Sequence, residues 1–412
     1  MDNTLRNFAR DVYHYWLKLV YKAKLRGYLM RVPKRVKTLR TKDSIKVLFV
    51  VSEVASWKSE LLYQAMVPHP RFNPVIGIST SRAPSGMKPS LEDYLNSKGY
   101  HYYDLDQNSN SIDQIAPDII IYYKPYEVCY SPGHFYDKHL KYVFCGMDYC
   151  FSITKHAVHI EKAYFDYCWL FFTEHTDIAK RRKEILGWRA NNVRVTGVPM
   201  QDILMLPKER FEDPWKDKSG KKRIIYAPHH SIKGTNGAGV EFATFLEFGE
   251  PILDFAKKYA DSITIAFKPH PNLYMKLLDI WGKEKTDAYY KEWETLANTQ
   301  LETGEYVGLF KYSDAIIHDS ASFIVEYLYM DNPSMYLVAE TNDIDQMFDF
   351  VQAGYRCYEH GTSVGEIEQF IKNVLSGKDN NKEKRRQFIT EHISLPGGLT
   401  ACENIINEIL GH

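Results

Sequence analysis

Three short segments in the second half of the chain carry side chains that bind anions or move protons. They are Tyr226-Ala227-Pro228-His229-His230-Ser231, Phe267-Lys268-Pro269-His270-Pro271 and His318-Asp319-Ser320-Ala321-Ser322. Lys268 and His270 can offer charge and N–H donors to phosphate oxygens. The prolines on either side of His270 stiffen the backbone and pre-position its imidazole. Ser320 and Ser322 fall where a strand should turn into a helix. There, hydroxyls, exposed backbone N–H groups and the helix dipole together suit an anion, although the same serines could simply cap their own helix. His229 and His230 are adjacent, so on an extended segment they point to opposite sides and at most one faces a ligand directly. Glu326, one turn into the following helix, is placed either to accept hydrogen bonds from a ribose or to be an ordinary solvated acid. His318 and Asp319 complete the expected ligand-binding set of Lys268, His270, His318, Asp319, Ser320, Ser322 and Glu326. A zinc site built from His229, His230, His270 and His318 is the competing reading. Adjacent histidines lack the facing i, i+4 geometry and no cysteine joins them, so no metal is expected.

What must position these segments is a set of strands. Arg223–Ala227, Ser262–Phe267 and Asp314–Asp319 each read as a buried strand, and each runs directly into one of the three motifs. Strand ends in one parallel sheet converge on one edge, so segments about 90 residues apart can share a site. Helices are expected over Val240–Tyr259, Ser322–Met330, Val364–Leu375, Asn381–Glu391 and Thr400–Leu410, with a further strand at Ser334–Val338. The first half alternates in the same way. Its strands are expected at Ile45–Val51, Asn73–Ser79, His101–Leu105, Asp118–Tyr123, Tyr142–Cys145, Cys168–Phe172 and Val193–Val198, with helices at Ser56–Met66, Leu91–Lys98 and Thr176–Leu186. Such alternation predicts an α/β protein of two doubly wound, Rossmann-like domains facing a cleft. The expected division is a basic arm (1–42), a first domain (43–206), a polar linker (207–222) and a second domain (223–412). Nothing in the first half resembles GxGxxG, which argues against a dinucleotide dehydrogenase.

The 412 residues include 44% apolar and 25% charged side chains, an ordinary globular mix. The 52 basic and 52 acidic residues cancel, but unevenly. Residues 1–42 hold twelve bases and two acids, leaving forty bases and fifty acids for the rest. A chain of zero net charge is thus a basic arm on an acidic body. On a helical wheel Leu5, Phe8, Ala9, Val12, Trp16, Leu19, Val20 and Ala23 share one arc, with Arg6, Arg10, Lys18, Lys22 and Lys24 opposite. That pattern suits a helix lying in an anionic membrane surface; the alternative is that the stripe docks on the protein itself. Pro33 should end the helix. No nucleic-acid motif accompanies the charge, so no nucleic-acid partner is expected. The six cysteines form no CxxC pair, and no apolar run reaches membrane-spanning length. The expectation is a cytoplasmic protein, peripheral on the inner face of the cell membrane.

The ordered motifs APHHS, FKPHP and SDAIIHDSASFIVEYLY, followed by NPSMYL, resemble the CDP-glycerol glycerophosphotransferase family of bacterial teichoic-acid and capsule enzymes. The resemblance is close over about residues 220–340 and covers the first half in architecture only. It implies a glycosyltransferase-B fold and a CDP-linked donor held by the second domain, with His270, Ser320 and Ser322 on its pyrophosphate. The acceptor would be a glycan or a lipid-linked hydroxyl, and no cofactor is implied. Family members carry Trp-Arg where this chain has His229-His230, and a His-Gly-Thr segment whose nearest counterpart here is Phe144-Cys145-Gly146-Met147-Asp148. The expected catalytic candidates are His229 and His230 from one half and Asp148 from the other, with His156 and His159 as further options for the base. Alternatives are a nucleotide-sugar glycosyltransferase of the same fold and a non-catalytic scaffold of a polysaccharide complex.

Overall fold

The computed structural model describes residues 3–54, 57–80, 87–107, 111–124, 126–148, 151–155, 162–232, 241–339 and 344–411, with 3–11, 87 and 162–163 described by backbone alone. The chain forms two compact units. The first comprises residues 1–149, 158–202 and 395–412; the second comprises residues 150–157 and 203–394.

The strands of the first unit are β1 (Ile45–Val51), β2 (Phe72–Ile78), β3 (Tyr102–Asp104), β4 (Ile119–Tyr122), β5 (Val143–Met147), β6 (Leu170–Thr173) and β7 (Val193–Val195). They pair in parallel in the order β3-β2-β1-β4-β5-β6-β7. In the second unit β8 (Lys222–Ala227), β9 (Ile263–Phe267), β10 (Thr299–Leu301), β11 (Ala315–His318), β12 (Ser334–Leu337) and β13 (Glu359–Gly361) follow the order β10-β9-β8-β11-β12-β13, again parallel. Each sheet reverses direction once, between β1 and β4 and between β8 and β11, which defines two doubly wound Rossmann-like layers. The central strands are apolar on both faces, as helices packed on both sides require. Two short strands, β10 and β13, and the helices Leu273–Trp281 and Lys283–Thr295 stand outside the expected elements.

The expected division of the chain needs two corrections. Residues 207–222 are not a free linker: Trp215 is buried, its Nε1 donates to the Leu309 carbonyl, and Gln300 accepts from the Lys216 amide, so the segment is part of the second unit. The final helix, Ala401–Leu410, belongs to the first unit. Its Ile405, Ile406 and Ile409 enter the same apolar cluster as Leu62 and Met66, and Asp202 accepts hydrogen bonds from the amides of Ala401 and Cys402.

The N-terminal helix α1 (Asn3–Arg40) also corrects the sequence reading, since it runs through Pro33. Proline costs an interior helix about 3 kcal/mol. Packing offsets that here, because Leu25, Tyr28, Val32, Val36 and Leu39 are all buried in the first unit. At about 100° per residue, Val12, Trp16 and Leu19 project roughly 180° from that docked face, and all three are exposed.

Candidate functional site

The expected motifs meet at the point where the second sheet reverses. Register pairs Tyr226 with Phe267 and Ala227 with His318, so the chain leaves the three strands at residues 228, 268 and 319, within one residue of the same level. The crevice beside the carboxyl ends of strands at such a reversal is where open α/β sheets bind ligands. Cross-links tie the three loops together. The His229 amide donates to Asp319 Oδ1 (2.6 Å), the Lys268 amide to the Tyr226 carbonyl (2.8 Å), and the His270 amide to the Pro228 carbonyl (3.0 Å).

His229, His230 and His270 form one cluster, in which one ring nitrogen from each lies within 4.8 Å of the other two. His229 stacks on His230 at 4.4 Å, and His270 meets His230 edge-on at 4.1 Å. The adjacent pair therefore does not diverge as an extended strand would require, because the chain turns at Pro228–Ser231. Phe242 covers the other side of the His229 ring at 4.7 Å. Burial and the neighbouring imidazoles lower His229 to about 3; burial, His230 and Lys268 lower His270 to about 4. Both rings are neutral at neutral pH.

Local hydrogen bonds also select their tautomers. Nδ1 of His270 accepts from the Asn272 amide (3.1 Å), and Nδ1 of His229 accepts from the Ser231 amide (3.2 Å). A neutral imidazole whose Nδ1 accepts carries its proton on Nε2. These two histidines therefore present Nε2–H donors. A histidine that ligates a metal through Nε2 needs the proton on Nδ1 instead, so the cluster as built suits an anionic oxygen better than a cation. Nδ1 of His230 accepts no such bond.

The serines follow Asp319, the residue whose carboxylate holds the His229 amide. Ser320 and Ser322 share a hydroxyl–hydroxyl hydrogen bond of 3.1 Å, and Ser322 makes no side-chain capping bond. The simple N-cap reading is thus not realised. The helix they begin is α-helical only over Phe323–Glu326 before tightening to 3₁₀ at Tyr327–Met330. Its dipole is correspondingly small, so hydroxyls and backbone N–H groups are the main groups there able to donate to an anion. Lys268 donates to the Gly304 carbonyl (2.9 Å) and lies 5.9 Å from the Tyr306 ring centre, which fixes its ammonium beside the motif.

Three expected ligand contacts are corrected. His318 is 0% exposed and packs against Phe323, Tyr336 and Tyr358, so it fills the core behind the loop. Asp319, also 0% exposed, accepts from the amides of His229 and Thr244 and from the Thr244 hydroxyl. It braces the loop from inside; burial raises it to about 6 against the opposing pull of those hydrogen bonds. Glu326 is 2% exposed, inside the unit rather than at a surface where a ribose could lie. The sequence reading gave no role to Ser231, the last residue of its first motif, and missed Phe242 and Thr244, which stand in no recognisable pattern.

In the first unit, Asp148 follows β5 as expected, but both its oxygens pair with Arg182 (2.6 and 2.8 Å), and Oδ2 also accepts from Thr173. Arg182 is buried. This carboxylate is a structural partner rather than an unengaged base. Gly146 has a packing reason: a Cβ there would lie 2.6 Å from the Tyr164 hydroxyl. A second network at the same end of that sheet, Ser79 Oγ–His134 Nδ1 (3.0 Å) near Asp106, is buried and braces a loop. His156 and His159 lie outside the described residues.

Two Rossmann-like parallel sheets, with the phosphate-suited motifs at the reversal of the second, define a protein of the glycosyltransferase-B type. Comparison with known proteins agrees. The profile of the family described as CDP-Glycerol:Poly(glycerophosphate) glycerophosphotransferase matches residues 155–411, and the chain belongs to that family. It is an enzyme, a transferase acting with CDP-glycerol-type donors. Solved structures of similar fold include a variant of the wall teichoic acid polymerase TagF soaked with CDPG, at 12% identity and TM-score 0.60 over 95% of this chain and 97% of that one. They also include a putative UDP-N-acetylglucosamine 2-epimerase from Listeria monocytogenes (14%, TM-score 0.59, 90% and 96%). The UDP-GlcNAc 2-epimerase of Neisseria meningitidis bound to UDP-GlcNAc is a third (14%, TM-score 0.57, 90% and 100%). No curated protein sequence matches the chain.

Proposed function

We propose that the second unit holds a CDP-linked phosphoalcohol by its pyrophosphate, with His229 and His270 as neutral Nε2–H donors and Ser320 and Ser322 as hydroxyl donors. The observation that carries this reading is the pair of backbone N–H bonds that fix the two imidazole tautomers. An acceptor hydroxyl attacks the β-phosphorus. The bond from that phosphorus to the bridging oxygen breaks, and CMP leaves with the bridging oxygen. Phosphoryl transfer requires mainly positioning and stabilisation of charge, which neutral donors supply without the desolvation cost of buried cations.

His230 is the proposed base. Its Nδ1 accepts no hydrogen bond, so it can keep its proton there and offer the Nε2 lone pair to the acceptor hydroxyl. Burial lowers its pKa, which leaves it neutral and able to accept a proton. The acceptor is a hydroxyl of a glycan or lipid-linked chain in cell-surface polymer synthesis, teichoic acid or capsule. The enzyme works on the cytoplasmic face of the membrane, with the basic helix α1 toward anionic lipid. Among the described residues no helix is long and apolar enough to cross a membrane.

The test is incubation with CDP-glycerol, CDP-ribitol and nucleotide sugars, with CMP, UDP and GDP followed separately. CMP release from a CDP-polyol is expected. Release of UDP or GDP alone would identify a glycosyltransferase, and no nucleotide binding by calorimetry would identify a scaffold. His230→Gln should lower kcat by about 100-fold or more with the affinity for CDP-glycerol little changed.

A further inference from the structure

We infer that the groove between α1 and the turn at Gly187–Asn192 receives one acyl chain of an anionic membrane phospholipid. This deepens the membrane placement of α1 proposed above. Two adjoining cavities, about 640 and 260 Å³, share Leu25, Leu29, Asp166, Trp188 and Arg189. Their walls are mostly apolar. Trp188 and Met30, at the rim, are each 68% exposed and continue the apolar wall outward. On the floor, Asp166 Oδ2 accepts from Arg189 (2.9 Å) and from the Tyr21 hydroxyl (2.6 Å), so one guanidinium balances the carboxylate charge, while Oδ1 is buried without a partner. Lys22 and Arg26 stand at the mouth.

The surroundings of the groove name its occupant. Residues 12–42 contain ten basic side chains and no acid, so anything carrying negative charge is drawn to this helix. Along the same helix Tyr13, Tyr15, Trp16, Leu17 and Leu19 are exposed. Tryptophan and tyrosine above a basic helix are the side chains of a membrane–water interface, where an apolar ring and a polar tip are both satisfied. Of these exposed residues, Trp16 and Leu19 face away from the docked arc of α1, so burying that arc leaves them uncovered. An acyl chain in the groove would cover Leu29, Met30 and Trp188, while the headgroup phosphate would meet Lys22 and Arg26.

The experiment uses the full-length protein carrying Trp16→Phe, so that Trp188 dominates the groove signal. Sedimentation with phosphatidylglycerol vesicles is compared with phosphatidylcholine vesicles, and fluorescence is read with lipids brominated at mid-chain. Binding to phosphatidylglycerol at least tenfold tighter, with quenching that Trp188→Phe removes, is expected. Met30→Glu, at an exposed position, should abolish the quenching while CDP-glycerol affinity in calorimetry stays unchanged. Dihexanoyl-phosphatidylglycerol below its micellar concentration should saturate at one per chain, and glycerol 3-phosphate should not bind. Failure to sediment would overturn both the groove and the membrane placement. Sedimentation without quenching at Trp188, or self-association that covers the groove without lipid, would overturn the groove alone.

Discussion

Replacing His270 by alanine tests the donor assignment directly. Its Nδ1 is occupied by the Asn272 amide at 3.1 Å, so what alanine removes toward a ligand is the Nε2–H group. A hydrogen bond from a neutral donor to a charged oxygen contributes about 1.5–3 kcal/mol. At about 1.4 kcal/mol per factor of ten, CDP-glycerol should bind roughly 10- to 100-fold more weakly. His270→Gln, which can place an amide N–H near the same point, should recover part of the loss. The ring is half-buried and its Asn272 bond is at the surface, so the variant should fold and can be measured by calorimetry. Charge state supplies the sharper discrimination. With His229 and His270 lowered to about 3 and about 4, both are neutral from about pH 6.5 to about pH 8.5. CDP-glycerol affinity should therefore be flat across that range. Affinity that climbs steadily as the pH falls through it would show that imidazolium ions bind the pyrophosphate. A loss of less than twofold in His270→Ala, or an Nδ1–H tautomer at His270 in nitrogen NMR of labelled protein, would refute the reasoning.

Other outcomes follow from the same contacts. Ser320→Ala and Ser322→Ala should each weaken CDP-glycerol binding by about 5- to 20-fold and leave urea stability nearly unchanged, because Ser322 does not cap its helix. Asp319→Ala strands the amides of His229 and Thr244 and should cost about 2–4 kcal/mol in urea unfolding, with Asp319→Asn costing less. Asp148→Asn breaks the pair with buried Arg182 and should lower stability by about 3 kcal/mol while the folded fraction keeps turnover within a few-fold; a thousandfold loss in folded protein would make Asp148 the base instead. For pH, the depressed histidines bind protons more readily in the unfolded chain. Their contribution to stability is present above about pH 6.5 and is lost as the pH falls toward about 4, which thermal melts across that window would show. Asp319, raised to about 6 by burial, acts in the opposite sense: it favours the folded state more below about pH 4 than above about pH 6.

The sequence alone determined the parallel α/β architecture, because apolar runs of strand length alternating with amphipathic helices have few other solutions. It also determined which three segments meet, since each motif directly follows a strand. Short elements such as β10 and β13, with three residues apiece, carry too little periodicity to be read. Tertiary structure decided the roles within the motifs. His318, Asp319, Ser320 and Ser322 look alike as polar residues at a strand end, yet His318 packs among aromatic rings and Asp319 accepts from the His229 and Thr244 amides, whereas the two serines bond to each other. The tautomers of His229 and His270 depend on amides two residues onward, a matter of turn geometry that residue identity does not specify. The charge asymmetry of α1 was visible in the sequence, and its passage through Pro33 was not, because only the buried contacts of Leu25, Tyr28, Val32, Val36 and Leu39 outweigh the cost of a proline inside a helix.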